Sequence, residues 1–281
     1  MKEQRSIPVV VISKTFRPLP ELEFVIKQAK KNNSDVFLIG DEGNVQYAPE
    51  NHRDMSEYQE GVKEFEELYQ HLSTNHEGIE KFCFSRWFVL RNFLRKHDYR
   101  GAFYIDNDIL FFGNATSEFE KRKHWYCALS WHTSGHSSYW TLEGIEAFCD
   151  YLMEVYGNKT SYDFTRLANH FYVRQHFGLE GGLCDMTLLE SFARYKYPHL
   201  VGECSIVSEL WSYSLYYDHV IHESEGFEHE DGVKQFTFKK GVPFATHKKL
   251  GIEIPFATIH FQGPNKPLIE TFFGRCNDSL I

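Results

Sequence analysis

The sequence predicts an α/β protein with a mainly parallel, Rossmann-like sheet and helices on both faces, and three stretches lead to this prediction. "VVVIS" (9–13) and "DVFLIGDE" (35–42) are short apolar runs of the kind that form buried strands. Between them, residues 21–33 carry apolar side chains at helical spacing. A strand, a helix and a second strand in this order form a β-α-β unit, which implies parallel pairing.

The later elements follow from the same patterns. Residues 43–80 are polar and rich in turns, with one candidate helix at 58–72. The next predicted elements are a helix at 81–98, the strand stretch 101–112, a strand at 124–131, and helices at 141–156 and 181–195. From about Pro198 the pattern is less regular, and we expect short strands there. Since no repeat, low-complexity stretch or linker divides the chain, we expect one domain.

The composition excludes several classes of protein. The chain is 42% hydrophobic and 25% charged, and its net charge of −9 comes without a basic stripe, so nucleic acid is not an expected partner. Its six cysteines are scattered without a C-x-x-C pair, which argues against a zinc site and a disulfide framework. The early apolar run "IPVVVI" is too short for a signal peptide or a membrane span. We therefore expect a cytoplasmic protein without a transmembrane segment.

The stretch "YIDNDILFF" places Asp106 and Asp108, one residue apart, between two apolar runs. A buried ionised carboxylate is costly unless it is paired or bound to a metal. If the strand ends at Asp106, both side chains can line a turn at its carboxyl end, where ligands bind in open parallel sheets. Carboxylate oxygens suit Mg²⁺ or Mn²⁺, which also bind phosphate. The pair therefore predicts a metal–diphosphate site, and the alternative is a turn with two solvated aspartates.

Three motifs, at 84–94, 104–112 and 260–268, resemble one enzyme family. "YIDNDILFF" is similar to the D-x-D motif of the GT-A nucleotide-sugar glycosyltransferases, and "FSRWFVLRNFL" (84–94) resembles a helix of the glycogenin and lipopolysaccharide galactosyltransferase group, family 8. "HFQGPNKPL" is similar to that group's H-[FY]-x-G-x-x-K-P-W signature at His260, Gly263, Lys266 and Pro267, with Leu268 where Trp is usual.

This resemblance implies a single GT-A domain over residues 1–281, with 1–113 as the nucleotide-binding half and 114–281 as the acceptor-binding half. It implies a nucleoside-diphosphate sugar as donor, with a UDP-sugar expected, and Mn²⁺ or Mg²⁺ as the metal. The implied acceptor is a glycan or another hydroxyl compound, and the implied transfer retains the anomeric configuration. The oligomeric state does not follow from it.

The candidate site residues fall into three groups. The predicted metal ligands are Asp106, Asp108 and His260. The residues predicted to contact the nucleotide sugar are Ser13, Asp41, Arg86, Asp106, Asn107, Gly263 and Lys266. The residues predicted to act in catalysis are Asp185 and Arg86.

Some of these residues have alternative interpretations. Arg86 lies on an apolar helix face, so its guanidinium needs an anionic partner. This partner is either a core carboxylate or, as the resemblance implies, the nucleotide phosphate or the D-x-D loop itself. Asp185, in "GGLCDMTLL", is either a helix N-cap or a contact to the donor sugar, in the place where family 8 enzymes carry an acidic D-Q-D segment. His247, in "PFATHKK", is the rival to His260 as the metal ligand.

Two other functions remain open. Haloacid-dehalogenase-type phosphohydrolases also use a strand-end D-x-D, but theirs usually runs D-x-D-x-[TV] near the N-terminus, whereas this one is mid-chain with Leu110 at the Thr/Val position. The other alternative is a non-catalytic sugar- or nucleotide-binding module.

Overall fold

The computed structural model describes residues 5–131, 134–204 and 215–279. The strands in this part of the chain are β1 (Val9–Ser13), β2 (Val36–Gly40), β3 (His52–Asp54), β4 (Gly101–Ile105), β5 (Ile109–Phe111), β6 (Cys127–Trp131), β7 (Ser134–Thr141), β8 (Val201–Glu203), β9 (Tyr216–Tyr217), β10 (His229–Glu230), β11 (Val233–Lys234), β12 (Thr237–Lys239), β13 (Val242–His247) and β14 (Ile252–His260). The α-helices are α1 (Glu21–Lys30), α2 (Val62–Leu68), α3 (Glu77–Lys96), α4 (Ala115–Arg122), α5 (Leu142–Gly157), α6 (Tyr162–His176), α7 (Asp185–Ser191) and α8 (Leu268–Asp278).

The central sheet has seven strands in the order β3-β2-β1-β4-β7-β6-β8. β3, β2, β1 and β4 pair in parallel, and so do β6 and β8. Among the described strands of this sheet, only β7 is antiparallel to its neighbours, β4 and β6. The predicted α/β class with a mainly parallel sheet is therefore confirmed.

Helices cover both faces of this sheet, which explains why its first strand is a continuous apolar run. Val9 and Val11 of β1 pack in one core with α1 and α4, while Val10 and Ile12 pack in the opposite core with α2, α3 and α5. Successive side chains of a strand point to opposite faces, so a strand buried on both faces needs apolar residues at every position.

The order in which strands are added to the central sheet reverses between β1 and β4. α1 returns the chain from β1 to β2 across one face, and α3 carries it back to β4 across the other face. β1 and β4 are parallel neighbours. β2, which follows β1, lies on one side of this pair, and the strands of the sheet that come after β4 in the chain, β6, β7 and β8, lie on the other side. Such a point leaves a crevice at the carboxyl ends of the two strands, which is where ligands bind in open α/β sheets.

A second sheet, with five strands among the described residues, packs on α8 and forms a third apolar core. In it β12, β13, β14 and β5 pair antiparallel in this order, and β9 pairs parallel to β14. Its register pairs His260, the last residue of β14, with Ile109, the first residue of β5. Because Ile109 directly follows Asp108, this pairing brings the C-terminal "HFQGPNKPL" stretch to the D-x-D turn.

The structure differs from the sequence prediction in several elements. The last third is more regular than expected, because it contains the β13–β14 hairpin and α8. The helix α6 was not predicted, although Phe164, Leu167, Ala168 and Phe171 stand at the helical spacing i, i+3, i+4 and i+7, and all four pack in one core. The strand β7, "SGHSSYWT", was missed because its small polar residues have low strand propensity, and pairing with β4 and β6 overrides that preference.

Two further boundaries are corrected. The candidate helix at 58–72 is the shorter α2, and the helix predicted at 181–195 begins only at Asp185 and continues as a π-helical segment, Phe192–Lys196. No helix among the described residues is long and apolar enough to cross a membrane.

Candidate metal and diphosphate site

The D-x-D residues form the turn that joins the two sheets. β4 ends at Ile105 and β5 begins at Ile109, so Asp106, Asn107 and Asp108 lie at the carboxyl end of a strand, as expected. The side chain of Asp108 is buried, whereas that of Asp106 is 26% exposed. The turn is therefore enclosed on one side and open on the other.

Asp108 lies between two basic side chains from the C-terminal motif. The Nζ atom of Lys266 is 2.9 Å from Oδ2 of Asp108, and Nε2 of His260 is 3.4 Å from its Oδ1. Burial alone would raise the pKa of Asp108, but His260 and Lys266 together hold that pKa below its ordinary value. Apart from this longer contact with His260, no hydrogen bond from a described residue reaches the buried Oδ1. Since buried polar atoms are nearly always bonded, this oxygen marks a place for a ligand.

His260 is held so that Nε2 faces Asp108. Its Nδ1 atom is 2.5 Å from the backbone oxygen of His219, and its backbone N–H donates to Oδ2 of Asp218 at 3.0 Å. A carbonyl can only accept, so Nδ1 carries a proton and the neutral ring keeps the lone pair of Nε2 toward Asp108. Burial would lower the pKa of His260, but Asp108 raises it above its ordinary value.

Arg86 joins the D-x-D turn to α7. Its Nη1 donates to Oδ1 of Asp106 at 2.8 Å and its Nη2 donates to Oδ2 of Asp185 at 2.6 Å. The hydroxyl of Tyr104 accepts from Nη1 at 3.0 Å and donates to Oδ1 of Asp106 at 2.5 Å. Burial raises the pKa of Asp106, and Arg86 opposes that rise. Arg86 therefore binds a core carboxylate, Asp185, and also a carboxylate of the D-x-D loop, Asp106. Both of the protein partners expected for Arg86 occur.

Asp185 is not an N-cap. Cys184 is the capping residue, and Asp185 is the first residue of α7. Its Oδ2 accepts from Arg86 and also from the indole Nε1 of Trp87 at 3.1 Å, while its Oδ1 accepts from the backbone N–H of Met186 at 2.9 Å. Because both of its oxygens are hydrogen-bonded within the protein, Asp185 holds the guanidinium of Arg86 in place.

The remaining candidates lie at different distances from this turn. Asn107 connects the turn to Ser13 and Lys266. Its Nδ2 is 3.4 Å from Oγ of Ser13, and its Oδ1 is 3.4 Å from Nζ of Lys266. Asp41 instead accepts from the backbone N–H of Thr15 at 2.8 Å and from its hydroxyl at 2.5 Å. Asp41 therefore fixes the loop after β1 and makes no hydrogen bond to the D-x-D residues.

The turn after His260 depends on Gly263, whose φ of +62° lies in the left-handed region. A Cβ on Gly263 would meet no atom within 4 Å, so the backbone conformation and not crowding favours glycine. Gly263 and Lys266 also border a cavity of about 470 Å³ between α1 and α8. No D-x-D residue lines this cavity, so we place the candidate site at the turn, where the unpartnered oxygen lies.

The structure brings His260, and not His247, to the D-x-D turn. His247 ends β13 and pairs with Ile252 at the start of β14, eight residues before His260. At about 3.3 Å per residue, this separation is roughly 26 Å. His247 packs its ring against Phe227 instead.

Sequence reasoning missed the residues that support the site. Tyr104 had a usable signal, since it lies two residues before Asp106 and therefore shares its face of the strand. Trp87 follows Arg86 directly but gave no sign of its bond to Asp185. His136, whose ring stacks on His260 with centroids 4.3 Å apart, and the Asp218–His219 segment had no local signal.

The residues at the turn fit a divalent cation in part. Among the described residues, no three His, Cys, Asp or Glu side chains already surround one metal-sized point. Asp108 and His260 supply one oxygen and one nitrogen donor that face each other, and no hydrogen bond from a described residue reaches Oδ2 of Asp106. Mg²⁺ and Mn²⁺ are commonly bound by one or two carboxylates while phosphate oxygens complete the shell.

Comparison with known proteins adds little to this picture. No protein-family model matches the chain, and no curated protein sequence matches it. Among solved structures, the chain is similar to the crystal structure of an active-site mutant of LgtC, with 11% sequence identity and a TM-score of 0.44, over 97% of this chain and 96% of that chain. With identity and TM-score this low, the function has to be argued from the site itself.

Proposed function

We propose that this protein is a metal-dependent glycosyltransferase of the GT-A type. It transfers a sugar from a nucleoside-diphosphate sugar, with a UDP-sugar expected, to a carbohydrate or another hydroxyl acceptor, and retains the anomeric configuration. One observation carries the proposal: Asp108 meets both His260 and Lys266 at the carboxyl end of β4. The resemblance of the three motifs to family 8 supplies the reaction, the donor class and the stereochemistry.

The residues that would hold Mn²⁺ or Mg²⁺ are Asp108 through Oδ1, His260 through Nε2 and Asp106 through Oδ2. When bound there, the ion would neutralise negative charge on the departing diphosphate. Arg86 and Tyr104 fix the other oxygen of Asp106, so Oδ2 keeps one direction. This support costs no reorganisation when the donor binds.

The diphosphate would bind on the open side of the turn. Lys266 is 22% exposed there, and its ammonium would donate to phosphate oxygens while it stays beside Asp108. The turn at Gly263 places this lysine, and Asn107 and Ser13 offer neutral polar groups along the same edge. Because both oxygens of Asp185 are bonded within the protein, we assign Asp185 the role of positioning Arg86.

A nucleotide-binding module without turnover is the second candidate. Its supporting observation is that both carboxylates of the motif are already paired with basic side chains, Asp106 with Arg86 and Asp108 with Lys266. A protein that neutralises both aspartates can bind a nucleotide without a metal. The two candidates differ in turnover and in metal dependence.

The first test measures donor turnover for UDP-, GDP- and dTDP-sugars with and without Mn²⁺. We expect one donor to be hydrolysed or transferred only with the metal, and NMR of the first-formed product to show retention. Asp108→Asn keeps the shape but removes a charged ligand worth several kcal/mol, so turnover should fall by about 100-fold or more. Asp150→Asn, an exposed change on α5, is the matched control.

Near-normal turnover in Asp108→Asn would show that this D-x-D is not the metal site. Tight UDP binding without turnover of any donor would support the binding module instead.

A second test compares two histidines. His260→Ala should weaken Mn²⁺-dependent UDP binding by about 10-fold or more, because a metal ligand is lost. His247→Ala should leave it unchanged, since His247 ends β13 and pairs with the start of β14, at the opposite end of that strand from His260. Titration calorimetry on both variants decides the matter, and a loss confined to His247→Ala would overturn the match of the C-terminal motif.

A further inference from the structure

A buried charge cluster lies outside the candidate site. We call it the Lys234 cluster, and its members are Lys234, Asp218 and Glu225. The Nζ atom of Lys234 is 2.7 Å from Oδ1 of Asp218, 2.5 Å from Oε2 of Glu225 and 2.6 Å from the backbone oxygen of Val220. The side chains of Lys234 and Asp218 are 0% exposed and that of Glu225 is 7% exposed. Burying such charges costs several kcal/mol per ion, and apolar replacements are often at least as stable, so stability alone is a weak reason for this cluster.

The cluster fastens the segment 218–221 to the end of β14. Oδ2 of Asp218 accepts from the backbone N–H of His260 at 3.0 Å, and the backbone N–H of Ile221 donates to the backbone oxygen of His260 at 2.9 Å. The backbone N–H of Asp218 donates to Oγ1 of Thr258 at 3.1 Å. Both backbone polar groups of His260 are thus bonded to a segment that Lys234 holds.

The same segment controls the imidazole of His260. The backbone oxygen of His219, next to Asp218, is 2.5 Å from Nδ1 of that ring. Because this oxygen can only accept, it selects the tautomer with the proton on Nδ1 and leaves Nε2 free toward Asp108. Outer-shell acceptors of this kind commonly orient metal-binding histidines.

A second histidine limits rotation of the ring. His136 stacks on His260 with an interplanar angle of 25°. Its Nε2 lies 2.9 Å from Oγ of Ser130 and 3.3 Å from the backbone oxygen of Asp218. Asp218 therefore touches both stacked histidines, one through its side chain and the other through its backbone.

We propose that Lys234 and Asp218 are positioning residues that hold the imidazole of His260 in its Nδ1–H tautomer, with Nε2 directed at Asp108. Lys234 binds Asp218 and the backbone oxygen of Val220, and Asp218 binds the backbone N–H of His260. The carbonyl of His219, between Asp218 and Val220 in the chain, determines the tautomer and orientation of the His260 ring. The use of Nε2 as a metal ligand rests on the proposed function, but the positioning of the ring does not.

The test is the variant Lys234→Met, with two measurements. The first is the pair of ¹⁵N ring shifts of His260 in the metal-free protein, followed over a pH series so that the neutral ring is observed. We expect a single Nδ1–H tautomer in the wild type and a mixture of tautomers in Lys234→Met. The second is Mn²⁺ affinity in the presence of UDP, which we expect to weaken by about 10- to 100-fold.

Glu225→Gln is the matched control. It leaves Lys234 bonded to Asp218 and Val220, so neither the ring shifts nor the Mn²⁺ affinity should change. If Lys234→Met fails to fold, Thr258→Val loosens the same segment without leaving a buried charge, because it removes only the acceptor of the Asp218 N–H. We expect it to shift both measurements in the direction expected for Lys234→Met.

Two results would overturn the proposal: a wild-type ring with its proton on Nε2, or unchanged tautomer and affinity in the folded variants. A wild type that binds no Mn²⁺, combined with a changed tautomer in Lys234→Met, would reject the proposed function and leave the positioning role intact.

Discussion

Two buried charge clusters with the same makeup, one cation and two carboxylates, flank the D-x-D turn. The Arg86 cluster consists of Arg86, Asp106 and Asp185, and the other is the Lys234 cluster. They differ in access to solvent. One carboxylate of the Arg86 cluster is 26% exposed, whereas no side chain of the Lys234 cluster exceeds 7%. The first can therefore meet a ligand, and the second can meet only the protein.

The choice of cation agrees with this difference. The planar guanidinium of Arg86 spans two carboxylates with two separate nitrogens and still leaves Oδ2 of Asp106 for another partner. The ammonium of Lys234 is a compact charge that draws Asp218, Glu225 and a backbone carbonyl around one point. Equal numbers of charges thus build a site that is open to a ligand in one place and a closed support in the other.

The largest expected effect comes from breaking the Arg86 cluster. Arg86→Met leaves two carboxylates in the core without their cation, so the free energy of unfolding should fall by about 3–5 kcal/mol. If Arg86 also supports the ligand through Asp106, UDP affinity in the presence of Mn²⁺ should fall as well. Chemical denaturation and titration calorimetry on the same variant measure the two effects.

Arg95→Met on the same helix is the control for this change. Arg95 pairs with Glu146 at 2.7 Å but is 43% exposed, and such surface pairs contribute at most about 1 kcal/mol. A large loss of stability in Arg86→Met with unchanged UDP affinity would limit the Arg86 cluster to a structural role. It would then resemble the Lys234 cluster.

The sequence was informative where burial is local. β1, β2 and the strand before Asp106 have no polar residue apart from Ser13, the last residue of β1, because helices cover both faces. Their apolar runs are therefore visible without knowledge of the fold. α8 lies in the last third, where only short strands were expected, and β7 is built from small polar residues that only its neighbours make into a strand. β7 depends on strand pairing that overrides local preference. α8 does not, because its buried Ile269, Phe272 and Cys276 stand at helical spacing that the sequence itself shows.

The candidate site also has one part that the local sequence predicts and one part that depends on contacts between distant residues. The apolar frame around Asp106 and Asp108 predicted a strand-end turn, and the structure has it. The approach of His260 to Asp108 depends on pairing between β14 and β5, about 150 residues apart, and only the resemblance of the C-terminal motif indicated it. The Lys234 cluster could not be predicted, since "HESEGFEHEDGVKQ" (222–235) has the composition of a solvated charged loop.

A smaller effect should separate the two clusters by pH. Burial raises the pKa of Glu225 to about 7, against the opposing charge of Lys234 and with a further rise from Asp218. Because this pKa lies above the ordinary value of 4.5, the folded protein binds the proton more tightly than the unfolded chain does. The resulting stability is fully present below about pH 4.5 and is lost as the pH rises through about 7. At about 1.4 kcal/mol per pKa unit, it amounts to at most about 3 kcal/mol.

Glu225→Gln removes this titration. The difference in unfolding free energy between wild type and variant should therefore change by up to that amount between pH 4.5 and pH 8. As the pH rises, the wild type should become less stable relative to the variant. Denaturant titrations across this range measure it, and the exposed change Glu228→Gln should give a flat difference. A flat difference for Glu225→Gln as well would mean that the closed cluster holds Glu225 ionised throughout. Lys234 would then balance both carboxylates, as Arg86 does in the open cluster.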